Sequence, residues 1–213
     1  SMPRRLLPLI ALLASLPASA VEVFRENQTY LVRGATAEEI RASLDQLGPL
    51  DAADGRRYDA LTRWTLEWRF DPRNTRGGCE IARVWTTVRV TTLMPRHGAP
   101  SSLPEPLRNE WTAYLQRLAA HEEGHVRIPT DAAREVESAL DRLHRSDCTL
   151  LTQDANRIGQ EILRKAQLAD RGYDTHTDHG QSQGARFPWT EGEPDQLTDS
   201  ERAKLRDRSP TPR

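Results

Sequence analysis

The chain has 213 residues, 30 Lys+Arg against 31 Asp+Glu, and a net charge of −1. This length suits one domain, and the charge balance speaks against a nucleic-acid binder that neutralises phosphates across a broad basic face. Two cysteines exclude a disulfide-dense mini-scaffold and a cysteine-based zinc finger, while five Trp, four Tyr and three Phe can seed a core.

The first twenty residues read as an export signal. Arg4 and Arg5 give a positive start, Leu6 to Leu16 are mostly apolar, and Ala18-Ser19-Ala20 offers a small-residue cleavage pattern. The apolar stretch is short for a membrane span, and no later segment approaches that length. Export places Cys79 and Cys148 in an oxidising compartment, where a disulfide is their simplest state. Such a bridge, across 69 positions, stabilises by about 4 kcal/mol on the chain-entropy model.

Thr29 to Val32 predict a short strand. Thr36-Ala37-Glu38-Glu39 matches a capping box opening a helix to about Gly48, with Ile40, Leu44 and Leu47 as its apolar stripe. Trp64, Leu66, Trp68 and Phe70 alternate with polar residues, which predicts a strand with one buried aromatic face. Asp71 to Gly78 reads as a loop. Ile81 to Thr92 reads as a second long strand, antiparallel to the first. Pro95 to Pro106 is a breaker-rich linker. Helical periodicity then runs over Leu107–Arg127, over Asp131–Leu143 after a break or kink at Pro129, and over Asp154 to about Ala169. Residues 181–213 have little periodicity and read as a mostly flexible tail, with Phe187 and Trp189 as anchors for its first part. The division is therefore a leader over 1–20, one domain over 21–180 and a tail over 181–213. The fold class is α+β: a small antiparallel sheet packed on a helical part.

The chemistry sits at His121-Glu122-Glu123-Gly124-His125, an H-E-x-x-H pattern. On a helix, positions i and i+4 share a face, so both imidazoles reach one zinc ion and Glu122 stands beside it as general base. Leu107, Trp111, Tyr114 and Leu118 lead into both histidines with helical spacing, which turns them inward and leaves Glu123 and Arg127 toward water. A helix end at Pro129 would open room beside the metal. The plain alternative is two core histidines bonded to backbone carbonyls.

A catalytic zinc needs a third protein ligand. The H-x-x-G-x-x-H continuation fails here, because Ile128 stands at its glycine and Asp131 at its last position. Glu135 or Glu161 on a later helix is a second candidate. The third is the segment Tyr173-Asp174-Thr175-His176-Thr177-Asp178-His179-Gly180, read as a loop just after the last helix; a solvated turn is its bland reading.

The chain resembles the DUF922 family, bacterial proteins predicted to be secreted zinc-dependent proteases. Trp64, Trp68, Cys79, Trp111, Tyr114, the H-E-x-x-H segment, Cys148 and the Y-D-x-x-T-x-H-G segment carry the resemblance, over about residues 22–188. It favours His179 as third ligand beside His121 and His125, demotes His176, and makes Asp174 a candidate for orienting a ligand imidazole. The expected protein is an exported, periplasmic or secreted, zincin-like metallopeptidase with one catalytic Zn²⁺ and Glu122 as general base. It would act on a peptide or protein substrate in the cell envelope. Tyr173 or His176 is the candidate second donor to the oxyanion. Two other classes stay open: a zinc hydrolase of a non-peptide amide such as a cell-wall bond, and a non-catalytic zinc-containing envelope protein that binds a partner.

Overall fold

The computed structural model describes residues 21–189, so the expected leader and the tail beyond Trp189 lie outside the described residues. The order of elements is β1 (Glu22–Val32), α1 (Ala37–Leu47), β2 (Leu61–Thr75), β3 (Gly78–His97), α2 (Glu105–Asp141), β4 (His144–Arg145) and α3 (Cys148–Thr177). Two short 3-10 turns, Pro100–Ser102 and Gln181–Gln183, follow β3 and α3. The fold is α+β, with a small mixed sheet and three α-helices among the described residues.

The sheet is mixed rather than antiparallel. β2 and β3 form the expected antiparallel hairpin, but β1 lies on the other side of β3 and runs parallel to it. The reason is topological. α1 and the segment after it carry the chain past β3's position before β2, and the tight hairpin then returns β3 between β2 and β1. β1 is also longer than predicted. Its first residues lie on an edge and are largely exposed, so they carry little apolar signal.

The expected loop over Asp71–Gly78 is mostly strand. β2 continues past an irregularity at Asp71/Pro72, and Thr75 pairs with Gly78, leaving Arg76 and Gly77 as the turn. Pro72 is tolerated because β2 is an edge strand with one side unpaired.

The capping box forms in a displaced version. Thr36 Oγ1 accepts from the Glu39 N–H at 3.3 Å, and Glu39 Oε2 accepts from the Ala35 N–H at 2.6 Å, one residue before the cap.

α2 does not end at Pro129; it runs unbroken to Asp141, with Pro129 fully buried inside it. Proline in a helix interior costs about 3 kcal/mol. Burial of Ala132, Ala133, Val136 and Leu140 against the sheet offsets this cost. α3 likewise extends beyond its predicted ends. Its first residue, Cys148, is joined to Cys79 near the start of β3 by a disulfide. Gly159 gives α3 its close approach to the sheet, because a Cβ there would stand 2.4 Å from the Trp68 ring.

Two apolar clusters make the core. One lies between the sheet, the second half of α2 and α3, around Val88, Val136, Leu140 and Leu151. The other gathers Ile40, Leu44, Trp111, Tyr114, Leu118 and Phe187. Residues 181–189, expected to be tail, are part of the second cluster through Ala185 and Phe187. Between Leu118 in one cluster and Val126 in the other, the buried stripe of α2 is occupied by His121, Glu122 and His125.

Candidate functional site

His121 and His125 are both 5% exposed or less, one turn apart on α2, as the spacing predicts. Glu123 points the other way and pairs with Arg25 at the surface, 2.8 Å apart. The two Nε2 atoms face each other at 3.3 Å. The third group at this point comes from α3. Asp174 Oδ1 lies 2.9 Å from His125 Nε2 and 3.3 Å from His121 Nε2. His121, His125 and Asp174 thus offer three ligand atoms within 4.8 Å of one another.

Each imidazole is held through its other nitrogen. His125 Nδ1–H donates to Asp170 Oδ1 at 2.8 Å, and His121 Nδ1–H donates to Gln183 Oε1 at 2.9 Å. This fixes both rings with Nε2 turned inward, the arrangement that orients metal-binding histidines. Asp170 and Gln183 were missed in the sequence. Asp170 is four residues before Asp174 on α3, so helical spacing from Asp174 is the signal that finds it. Gln183 carries no comparable signal.

The electrostatics follow from this packing. Burial pushes the His125 imidazole down, but hydrogen bonds to Asp170 and Asp174 outweigh it and hold the ring up at about 10. Burial pushes Asp174 up, and its bonds with His121 and His125 outweigh that and hold its carboxyl below the usual range. Two carboxylates around one imidazole make a place that favours positive charge. Glu122 is raised above the ordinary carboxylate range by burial, against the opposing pull of Thr62 and the two histidines. The Thr62 hydroxyl of β2 donates to Glu122 Oε2 at 2.7 Å, and Thr62 and Thr92 share a further bond at 3.0 Å.

The Y-D-x-x-T-x-H-G segment is not a loop through its first part; Tyr173 to Thr177 form the last turn of α3. Each position has a physical task. Tyr173 stacks on the His121 ring with centroids 4.9 Å apart and planes 12° apart, and its Oη accepts from Gln183 Nε2 at 3.1 Å. It buttresses the site from behind. Asp174 enters the cluster. Thr177 is buried, donates to the Tyr173 carbonyl at 2.8 Å and accepts from the Gly180 N–H at 3.3 Å. Asp178 and His179 are both left-handed, at φ 48 and φ 49, and Gly180 follows at φ 85. Gly180 has a second constraint, since a Cβ there would stand 2.9 Å from His121 Cγ.

His179 lines the cleft but is not one of the three converging ligands. Its Nδ1 lies 3.5 Å from Asp174 Oδ1, and its ring stacks on Tyr58 with centroids 4.1 Å apart. His176 is exposed, and its Nδ1–H donates to the Gly172 carbonyl at 2.7 Å. Glu135, Glu161 and Asp131 are outside the cluster.

The cluster opens into a cleft of about 860 Å³. One wall is the segment 56–64, which includes the start of β2; another is α3 from Gln167 to Asp174; Ala185 to Pro188 close a third side. The first wall is fixed by a network the sequence did not suggest. Asp59 pairs with Arg41 of α1, its Oδ2 accepts from the Tyr114 hydroxyl at 2.6 Å, and its carbonyl accepts from the Tyr30 hydroxyl at 2.7 Å. Arg41 also donates to the Phe187 carbonyl at 3.2 Å, which ties the third side to the first.

A family model described as "Bacterial protein of unknown function (DUF922)" matches residues 27–180. The match spans the cluster and the Y-D-x-x-T-x-H-G segment together. No curated protein and no solved structure matches the chain.

Proposed function

The chain belongs to the DUF922 family, and we propose that it is an exported, zincin-like zinc metallopeptidase whose metal is held by His121, His125 and Asp174. The observation that carries this reading is the convergence of two buried imidazole Nε2 atoms and one carboxylate oxygen, with Glu122 next in sequence to His121. The donor set fits zinc, which takes imidazole nitrogen and carboxylate oxygen in sites with three protein ligands. Two buried imidazole nitrogens facing a partly buried carboxylate also need a cation or shared protons to be satisfied.

A bound zinc ion supplies Lewis acidity at this point, polarising an amide carbonyl and acidifying water. Glu122 takes the proton of the attacking water on Oε1, because Oε2 is occupied by the Thr62 hydroxyl, and then passes it to the leaving amine. Its burial, which raises its proton affinity, suits that exchange. Asp170 and Gln183 hold the imidazoles in the required tautomers. Tyr173, one of the two candidate oxyanion donors, is better suited to buttressing His121, and His176 is turned away; the His179 ring, held by its stack on Tyr58, lines the cleft and takes the donor role. The outer edge of β2 runs along the cleft beside Thr62, where an extended peptide can add as a further strand. The Cys79–Cys148 disulfide supports an oxidising compartment, and among the described residues no helix is long and apolar enough to cross a membrane.

The test is metal analysis of the purified protein together with proteomic cleavage profiling of wild type against Glu122→Gln. The expected result is one zinc per chain in both proteins and cleavage products only with wild type. No zinc in wild type would end the metalloenzyme reading. Bound zinc with identical profiles would point to a non-peptide amide substrate or to partner binding without catalysis.

A further inference from the structure

We infer that Arg171 recognises a carboxylate on the substrate, so that the cleft favours peptides bearing an acidic group close to the susceptible bond. This rests on the metallopeptidase reading above and specifies its substrate class. Most charged groups lining the cleft are already engaged. Arg41 is held by Asp45 and Asp59, Arg57 donates to the Gly48 carbonyl at 2.6 Å, and Arg63 donates to the Leu50 carbonyl at 3.1 Å. Asp170 and Asp174 are committed to the histidines. Arg56 and Arg171 differ, since neither guanidinium makes a hydrogen bond or ion pair among the described residues; Arg56 acts on the Asp54 carboxylate, whereas Arg171 lines the cleft on α3, beside the carboxylates of the cluster.

Its place makes that cation useful. Arg171 is three residues before Asp174 on α3, about 4.5 Å along the helix axis. Gln167, one turn further back, lines the same wall. A side chain of this length therefore reaches substrate positions next to the reacting bond rather than remote ones. A planar guanidinium with no protein partner presents two parallel donors, the geometry that binds a carboxylate in bidentate fashion. Asp178 also lines the cleft without a side-chain partner among the described residues, but it lies on the other side of Asp174, at the end of the helix.

The carboxylate has two possible sources, an acidic side chain or the peptide's own C-terminus, and one experiment separates them. Zinc-loaded Glu122→Gln protein, which holds substrate without turning it over, is titrated calorimetrically with acetylated octapeptides. Three carry a central Glu, Gln or Lys and an amidated C-terminus; a fourth carries Gln and a free C-terminus. The Glu peptide should bind about tenfold more tightly than the Gln peptide. Gain by the free terminus instead would assign the carboxylate to the chain end. Either preference should vanish on adding Arg171→Gln, and Arg171→Glu should turn it toward the Lys peptide, with zinc content unchanged in both. Equal binding of all four peptides, or a preference that survives Arg171→Gln, would overturn the inference. Charge-selective binding of peptides that the Glu122-containing protein leaves intact would uphold it and refute peptide hydrolysis. Cleavage without charge preference would do the reverse.

Discussion

Replacing Gly124 by alanine sets two effects of opposite sign against each other. Helix propensity alone favours alanine by about 1 kcal/mol in a helix interior. At this position the added Cβ would lie 2.3 Å from Tyr173 Oη, 2.4 Å from Cζ and 2.5 Å from Cε1. The ring cannot easily withdraw. It is stacked on His121, and its hydroxyl is bonded to Gln183. Overpacking of this kind costs about 1–3 kcal/mol, and three ring atoms in conflict with one pinned ring place it at the upper end. The net expectation is a loss of about 2 kcal/mol, or a fall in Tm of about 4–8 °C for a chain of this size. Thermal unfolding of Gly124→Ala, Tyr173→Leu and the double variant measures it. The double variant should lose less than the sum of the two, because removing the ring removes the conflict. A rise in Tm for Gly124→Ala would refute the reasoning, since propensity would then have outweighed the contact.

Three further outcomes follow from the same geometry. Asp174→Ala should abolish zinc retention while His179→Ala keeps it, read as metal per chain after dialysis; the opposite result would make His179 the third ligand. Asp170→Asn should weaken zinc affinity about 10–100-fold with an unchanged circular dichroism spectrum, because it acts only through the orientation of His125. Replacing both Cys79 and Cys148 by serine should lower stability by about 4 kcal/mol in denaturant titration, the value for a loop closed across 69 positions; a much smaller loss would mean that the reduced chain stays compact.

The parts of the site that were legible in the sequence are those set by local spacing. His121 and His125 fall four apart on the same stripe as Trp111, Tyr114 and Leu118, and a helix can place them in only one way. The Trp64–Phe70 alternation is local for the same reason, and so is the capping box at Thr36. The resemblance added the Y-D-x-x-T-x-H-G segment, but not where the structure places its side chains. Asp174 was expected to orient a ligand, and it is the residue whose oxygen enters the cluster. His179 was expected to ligate, and it lines the cleft against Tyr58. The extra turn of α3 makes the difference. With Tyr173–Thr177 helical, Asp170 and Asp174 share a face toward α2, and His179 falls beyond the cap.

The sequence by itself determined that His121 and His125 share the buried face of α2, because a helix converts spacing directly into direction. It also determined the cysteine pair, since with two cysteines only one intramolecular bridge is available. Only the tertiary structure decided what meets that face. The parallel placement of β1, the passage of α2 through Pro129, the turn that brings Gln183 back to His121 and the Asp59 network that fixes the cleft wall all depend on contacts between distant segments. Such contacts are settled by the burial of whole elements against one another, in which the local preference of Pro129, or of the segment expected to be tail, is a minor contribution.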